Sequence, residues 1–470
     1  MQRVLVFFTI LVIIIAIPRG FDFSDEGLYV LLADPNQQNL GGIFNYDLFF
    51  KLIFKFSGID FGIKGLRVFR LISYFLGAFG LAFFWKNLQK ASRISFPIFL
   101  LALTGLFAGY GFLPATLSYN SISVVAVCLW LGIISNEALN WKYWLLLGLV
   151  FLTLFYSKIT VCFLLGFLTI LYFGFNKQLN FKYVLFLLTP FILFQENALS
   201  RLFAEQGFLH QRQDYSMVLL IRFTMVGIFW ILFAAFFFLI AGKLKHDLSK
   251  LYSTVLVLAT FVLCAVFYWT RITEEWSHIF PLTTFALIGM QMGQVNWKQF
   301  KSKKRFFIFV LIALPFLLHF GSNVYWMRLG IHYWVFWLFA FALLIQTNSV
   351  KFQIAFHRFS AVSSLLLVIV GIWITPFEGS YLWDSSYSWE YRPGKKILLS
   401  KPQIDFLKKL KFEIEPFEPS QAKIFLGNGD ELELILFNQR ETFPFDQKRW
   451  KTKDELIQPD GEKLQVLWRN

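Results

Sequence analysis

The stretch YWLLLGLVFLTLFYSKITVCFLLGFLTILYFGF, residues 143–175, decides how this chain can fold, because it is apolar except around Ser157 and Lys158. One helix of 33 residues would run roughly 50 Å, whereas the hydrocarbon core of a bilayer is roughly 30 Å thick. We therefore predict two short helices joined by a tight turn that presents Lys158. This prediction fixes the direction of every later segment.

Apolar segments of this kind fill most of the chain. Of 470 residues, 57% are hydrophobic and 16% are charged, which is typical of a polytopic membrane protein. Such segments begin at about residues 4, 68, 96, 121, 143, 159, 183, 217, 251, 278, 306, 331 and 361. We predict a mostly α-helical protein with about 13 transmembrane helices. The first is interpreted as a retained span, because "IAIPRGF" shows no small-x-small cleavage pattern.

The positive charge is concentrated between the apolar segments. Residues 1–377 contain 29 Lys and Arg against 13 Asp and Glu, whereas the tail from residue 378 contains 15 against 16. With the N-terminus inside, alternate loops carry Lys or Arg, among them "WKNLQKASR", "GKLKHDLSK" and "WKQFKSKKR". Such loops face the cytoplasm by the positive-inside rule. We therefore expect a multi-pass protein of the cytoplasmic membrane that binds no nucleic acid, with its C-terminal tail outside.

The cysteines indicate neither a disulfide framework nor a metal site. Cys128, Cys162 and Cys264 all lie inside apolar segments, without the spacing of metal ligands. We expect no metal and no cofactor.

The first external loop, residues 19–67, is far longer than a connection needs. Its stretch "FDFSDEGLYVLL", residues 21–32, places Asp25 and Glu26 directly after Ser24. Ser24 is a suitable helix N-cap, and the helix dipole favours acids in the first turn. Ordinary helix chemistry therefore explains the two acids, and an acidic group acting at the membrane surface is the functional alternative.

A second helix is predicted in the same loop. In "NYDLFFKLIFKFSG", residues 45–58, one face is apolar, while Asp47, Lys51 and Lys55 follow one another at i, i+4 spacing on another face. The pattern predicts an amphipathic helix lying along the membrane. Tyr46 and Asp47 at its start are candidate substrate-binding residues.

The sequence of features in this loop resembles the start of the GT-C membrane glycosyltransferases. These features of the chain are, in order, a span, the acidic pair in "SDEGLYVLL", the turn "LGG", the motif "NYD" and a surface helix. Within that superfamily it is similar to bacterial relatives of protein O-mannosyltransferases and of the aminoarabinose transferase acting on lipid A. The resemblance implies a GT-C-like fold and a sugar donor carried on polyprenyl phosphate. It also implies a lipid, glycan or protein acceptor outside the membrane, and Asp25 as general base with Glu26 as its neighbour or substitute.

One departure from that family concerns the acceptor. O-mannosyltransferases have a His-Pro-Pro-Leu-like stretch after the acidic pair, whereas this chain has "FNYDLF". Protein mannosylation is therefore not implied, and the acceptor stays open.

Transfer of a sugar from a lipid phosphate needs a base for the acceptor proton and a cation for the departing phosphate. The turn "YSKIT" resembles the lysine-containing turn of the O-mannosyltransferases, so Lys158 is the first candidate for phosphate binding, with Arg271 the second. Three more residues are candidates for substrate binding: Glu274, His278 and Asn323. The alternatives are a lysine that reaches the interface from a helix end and ordinary turn chemistry.

Residue 378 marks a change of composition, so we predict a membrane domain over 1–377 and a small external α/β domain over 378–470. "KPQIDFLKKLKF" predicts a short helix there, and "AKIFLGNGDELELILF" predicts a β-hairpin with an Asn-Gly turn.

An inverting glycosyltransferase is the first functional hypothesis. A transporter or flippase of lipid-linked sugars, and a polysaccharide polymerase or ligase, are the alternatives. Transport predicts charges deep within spans and interrupted helices at mid-membrane. The prominent charges of this sequence lie at the ends of spans, which favours the enzyme.

Overall fold

Long apolar segments form helices here because a helix pairs its own backbone groups, which lipid cannot do. The computed structural model describes residues 1–22, 25–35, 46–112, 115–137, 140–175, 181–194, 217–245, 249–273, 275–322, 324–376, 381–414, 422–426, 431–432, 450–457 and 463–469. Within these residues the protein is mostly helical, as predicted, with a small β component.

A helix occupies each apolar segment that the sequence predicts. These helices are α1 (Gln2–Ala16), α4 (Gly62–Gln89), α5 (Phe96–Phe107), α6 (Tyr119–Ile134), α7 (Trp141–Ser157), α8 (Ile159–Phe175), α9 (Phe181–Phe194), α10 (Met217–Leu244), α11 (Ser249–Thr273), α12 (Ile279–Gln294), α13 (Ser302–His319), α14 (Trp326–Gly330), α15 (Trp334–Leu344) and α16 (Val350–Val368). Within the described residues, 5 helices are long and apolar enough to cross a membrane by length and composition. The protein is therefore a membrane protein, and the number of its spans stays a prediction.

The segment that decides the fold breaks where the sequence predicts. α7 ends at Ser157, Lys158 leaves the helical conformation with φ −152° and ψ 87°, and α8 begins at Ile159. The rings of Trp144 and Phe173, on opposite sides of the break, lie 5.3 Å apart between centroids. The two helices therefore run antiparallel, which confirms the predicted hairpin.

Several basic loops meet at one end of the bundle, which we call the basic-loop end. Lys303, in the first turn of α13, donates from Nζ to the carbonyl oxygen of Ser135, which follows α6, at 2.7 Å. Lys90, after α4, forms an ion pair with Glu137 at 2.7 Å. This shared end agrees with the predicted alternation of the loops. Lys158 contacts residues after α13, so it lies at the opposite end, which we call the Lys158 end.

The first loop contains the two predicted helices, α2 (Asp25–Leu32) and α3 (Tyr46–Ser57). The apolar face of α3 includes Leu48 and Phe49, which pack against Leu152 and Tyr156 of α7. Protein therefore covers part of the face that the sequence assigned to the membrane surface.

The first part of the tail folds onto this loop rather than standing apart. It contains the antiparallel hairpin of β1 (Tyr387–Arg392) and β2 (Lys395–Leu399), followed by α17 (Lys401–Ile414). The backbone of Leu398 accepts from Gly20 N and donates to Pro18 O, both at 2.8 Å. One hydrophobic cluster unites the two parts; its members include Phe21, Tyr29, Leu31, Tyr46, Phe50, Ile63, Tyr391, Ile397, Leu399 and Leu407. The first loop and the first part of the tail therefore share a core, and the division of the chain at 377/378 stays a prediction.

The rest of the tail forms a second antiparallel sheet in the order β4-β3-β6-β5. Its strands are β3 (Ala422–Leu426), β4 (Glu431–Leu432), β5 (Trp450–Ile457) and β6 (Lys463–Arg469). The pairing of β3 with β4 confirms the predicted hairpin, although its Asn-Gly turn lies outside the described residues.

Candidate functional site

Lys158 is a buried cation held by neutral groups. Its side chain is buried, and Nζ donates to Leu318 O at 2.6 Å, to Ser322 Oγ at 2.8 Å and to Asn120 Oδ1 at 3.4 Å. Among the described residues no carboxylate lies within ion-pair distance. Lys158 lies in the break between α7 and α8, where burial lowers its pKa to about 7. A buried ammonium of this kind gains most from an anionic ligand.

Tyrosine rings connect this lysine to the first loop. Nζ of Lys158 lies 5.5 Å from the ring centroid of Tyr119, at the start of α6. The Tyr119 ring lies 6.2 Å from that of Tyr29 in α2, the helix that Asp25 begins. The structure therefore brings the helix of the candidate base to the candidate phosphate-binding lysine. The side chain of Asp25 itself is outside the described part.

Glu26 is held in a buried ion pair. Arg67 of α4 donates from Nε to Glu26 Oε1 at 2.8 Å and from Nη2 to Oε2 at 2.6 Å. The remaining guanidinium hydrogens reach the carbonyl oxygens of Ile17, Arg19 and Gly20 at 2.7 to 2.8 Å. Arg67 therefore ties the end of α1 to α2 and α4. Both carboxylate oxygens of Glu26 are therefore engaged by Arg67, and its predicted catalytic role stays a prediction.

The acids of this turn also support the start of the helix. The Glu26 backbone N–H donates to Asp22 Oδ2 at 3.4 Å, and the Asp22 backbone N–H donates to Glu26 Oε2 at 3.3 Å. This reciprocal pair satisfies donors that a helix start leaves free. Of the two predicted catalytic acids, Asp25 stays the candidate base.

Tyr46 and Asp47 lie next to this site. Tyr46 is fully buried, its hydroxyl donates to the Leu117 carbonyl oxygen, and its ring centroid lies 5.4 Å from that of Tyr29. Asp47 is buried beside Lys51, with 3.4 Å between carboxylate and ammonium. Tyr46 thus fixes α3 against the segment that leads into α6.

The remaining predicted residues are placed differently. His278 is fully buried, and both its ring nitrogens lack a hydrogen-bond partner in the part of the chain that the structure describes. Burial, together with the positive charge of Arg328, lowers its pKa to about 4, so it is neutral at pH 7. Arg271 is exposed on the last turn of α11, and no described contact joins it to Lys158. Glu274 and Asn323 lie outside the described residues.

Two arginines of α4 were missed by the sequence reasoning. Arg67 pairs with Glu26, and Arg70 is buried one turn later. The guanidinium of Arg70 donates to Tyr74 Oη at 3.0 Å and to Gly109 O at 2.9 Å, and it lies 3.9 Å from the ring centroid of Tyr110. Both residues could have been noticed in the sequence, because arginines at i, i+3 spacing inside an apolar helix usually have a functional or structural role.

An apolar groove lies beside α7, the helix that ends at Lys158. It has a volume of about 600 Å³ and lies between α4, α6 and α7. On α4 its lining extends from Phe69 to Phe83, about 21 Å along the helix. One end is lined by Leu117, two residues before Tyr119, and by Thr153, one helical turn and a half before Lys158. The groove and the lysine together suit an amphiphile with an apolar tail and a phosphate head.

Within the described residues, no group of three or more His, Cys, Asp or Glu side chains is placed to hold a metal ion. Comparisons of the chain with protein-family models, with curated proteins and with solved structures give no match.

Proposed function

We propose that this protein is an inverting membrane glycosyltransferase that moves a sugar from a polyprenyl-phosphate donor to an acceptor hydroxyl. We place its site at the Lys158 end, on the outer side of the cytoplasmic membrane. One observation carries the proposal: aromatic contacts join a buried lysine, which has no carboxylate partner among the described residues, to the helix of Asp25. An apolar groove lies along the helix that ends at this lysine. Such a reaction needs a surface for the lipid tail, a cation for the phosphate and a base for the acceptor proton.

The groove between α4, α6 and α7 takes the apolar tail of the donor. A phosphate oxygen replaces the long contact from Lys158 to Asn120, which at 3.4 Å is the weakest of the three that the ammonium makes. The fixed positive charge then stabilises the phosphate as it leaves, and it does so most strongly where water is excluded. Arg271, if it contributes, has to act from its exposed position.

The chemical step joins the acceptor oxygen to the anomeric carbon and breaks the bond between that carbon and the phosphate oxygen. The carboxylate of Asp25 takes the acceptor proton, and polyprenyl phosphate leaves with the bonding electron pair. Attack opposite the leaving group inverts the anomeric centre. Glu26 keeps α2 in place through Arg67.

The base assignment is tested with the purified full chain in lipid nanodiscs. Radiolabelled polyprenyl-phosphate sugars are the donors, and cell-envelope lipids, glycans and proteins are the acceptors. We expect Asp25→Asn to lower kcat by a factor of about 10² to 10⁴. The matched control is Asp405→Asn, an exposed acid of α17. Transfer at the native rate by an equally folded Asp25→Asn protein would show that Asp25 is not the base.

The phosphate assignment is tested separately. Lys158→Met is expected to raise the KM for the donor by a factor of about 10 or more, because a charge-assisted bond is lost. Lys64→Met, which removes an exposed lysine at the start of α4, is the control. Unchanged donor affinity in the Lys158 variant would remove the phosphate role.

A transporter of lipid-linked sugars is the second candidate, favoured by the buried charge of Arg70 inside α4. Repeating the labelling experiment with the protein in sealed vesicles, instead of nanodiscs, separates the two functions. An enzyme makes a covalently labelled acceptor, whereas a transporter moves the labelled lipid between leaflets and leaves the acceptor unlabelled.

A further inference from the structure

A second cavity lies at the basic-loop end, remote from Lys158. It has a volume of about 480 Å³ and is formed by the starts of α1 and α5, by α16 from Val350 to Arg358, and by Trp85 near the end of α4. Asn87, two residues after Trp85, donates to Ser135 Oγ at this end of the bundle. From the cavity α1 leads to Arg19, which donates to Ser385 O at the Lys158 end. The cavity is therefore separate from the proposed active site.

The cavity is positively charged. Arg3 and Arg358 line it, and among its described lining residues there is no Asp or Glu. No described carboxylate lies within ion-pair distance of either arginine. His357 also lines the cavity, and its Nδ1 is buried without a hydrogen-bond partner among the described residues. Two cations therefore line one hollow without a described acid beside them.

Two helices add to the positive potential, because α5 and α16 begin at the cavity. Ser95, the N-cap of α5, and Val350, the first residue of α16, both belong to its lining. The first turn of a helix carries N–H groups without intrahelical partners and a partial positive charge. An anion is the ligand that this charge distribution favours.

The residues around the cavity are apolar, and this bears on whether its anion is a lipid or a soluble molecule. Val350 is 69% exposed and Ile354 is 46% exposed on its rim, and Phe7 and Phe359 of the adjoining helices are 61% and 50% exposed. The guanidinium of Arg3 lies 5.2 Å from the ring centroid of Phe96, so charge and apolar surface are directly adjacent. A phospholipid fits both features, because its phosphate can meet the arginines while its acyl chains lie along the adjacent apolar residues.

We propose that this cavity binds the phosphate headgroup of an anionic phospholipid from the leaflet at the basic-loop end. Basic pockets between membrane helices are suited to such headgroups, and the negative surface of the cytoplasmic leaflet supplies them. The site is independent of the proposed glycosyl transfer, since none of its lining residues belongs to the groove or to the Lys158 pocket.

The test uses the purified full chain in detergent. Short-chain phosphatidylglycerol, short-chain phosphatidylcholine and inorganic phosphate are titrated separately, and binding is followed by native mass spectrometry and by the thermal unfolding midpoint. We expect phosphatidylglycerol to bind and to raise the midpoint, with little effect of the other two at the same concentration. Equal stabilisation by phosphatidylcholine would show that the headgroup charge has no role. Equal binding of inorganic phosphate would show a site for soluble anions, and either result overturns the proposal.

Variants locate the site. Arg3→Gln with Arg358→Gln is expected to weaken phosphatidylglycerol binding about 30-fold, from the usual contribution of two cations near a charged bilayer surface. Arg93→Gln with Lys351→Gln is the matched control, since both of these side chains are exposed at the same end without lining the cavity. Native affinity in the Arg3 and Arg358 double variant overturns the proposal. If that variant does not fold, the comparison of the three ligands on the unchanged protein still decides the question.

Discussion

Replacing Glu26 by Gln should loosen the first loop rather than remove a proton acceptor. The side chains of Glu26 and Arg67 are 1% and 4% exposed and share two short hydrogen bonds. Breaking a buried pair by removing one charge typically costs about 3–5 kcal/mol, because the other charge stays buried. Arg67 keeps its three backbone carbonyls, so we expect the lower value, about 3 kcal/mol.

Hydrogen exchange is the suitable assay, because the loss is local and a protein of this size does not unfold in one step. In the Glu26→Gln protein, amides of α2 and of the first turns of α4 should exchange about 100-fold faster, which corresponds to about 3 kcal/mol. The hairpin of α7 and α8 should keep its native exchange rates. Glycosyl transfer should decline only as far as α2 is displaced.

Two results would refute this reasoning. Unchanged exchange in α2 would show that the ion pair contributes nothing to the position of that helix. Unchanged exchange together with complete loss of transfer would make Glu26 itself the base, in place of Asp25. Arg67→Lys provides a further check: because lysine has three donors against the five of arginine, it should resemble Glu26→Gln and not the native protein.

Three further predictions concern other parts of the molecule. Burial lowers the pKa of Lys158 to about 7, so its positive charge is present below that pH and is lost above it. We therefore expect kcat/KM for the donor to fall from pH 7 to 9. An active Lys158→Arg protein should show a flatter pH profile. Arg392→Gln removes the buried ion pair with Asp34, 2.5 Å in length, and should make residues 381–414 more susceptible to limited proteolysis without changing the rest of the digest. A Cβ at Gly80 would lie 2.8 Å from a backbone oxygen of α6. Gly80→Leu should therefore separate α4 from α6 and reduce the yield of monodisperse protein on size exclusion. Gly166 has open space around it, so the control Gly166→Ala should behave as the native protein.

The helical part of the fold could be predicted from the sequence because it depends on local properties. Apolar length and the single interruption at Lys158 determine where a helix can cross a bilayer, and both can be counted along the chain. The start of α2 at Asp25 and the amphipathic pattern of α3 are equally local. These elements therefore appear where they were predicted.

The contacts between distant segments could not be predicted in the same way. Nothing near Glu26 in the sequence indicates Arg67, and nothing near Lys158 indicates Ser322, because each partner comes from a distant segment of the chain. From the sequence, Asp25 and Glu26 were assigned a catalytic role only because both are carboxylates in the same loop. The structure adds the partner of Glu26, and the positioning role that we propose for this residue rests on that contact.

The shared core of the first loop and the tail has a consequence for biosynthesis. Tyr29 and Val30 leave the ribosome early, yet residues such as Ile397 and Leu407, which complete their cluster, are made more than 360 residues later. A contact of such long sequence separation forms late. A nascent or truncated chain can therefore insert its membrane helices while its acidic helix still lacks its cover, and release of the full chain becomes the step that completes the site.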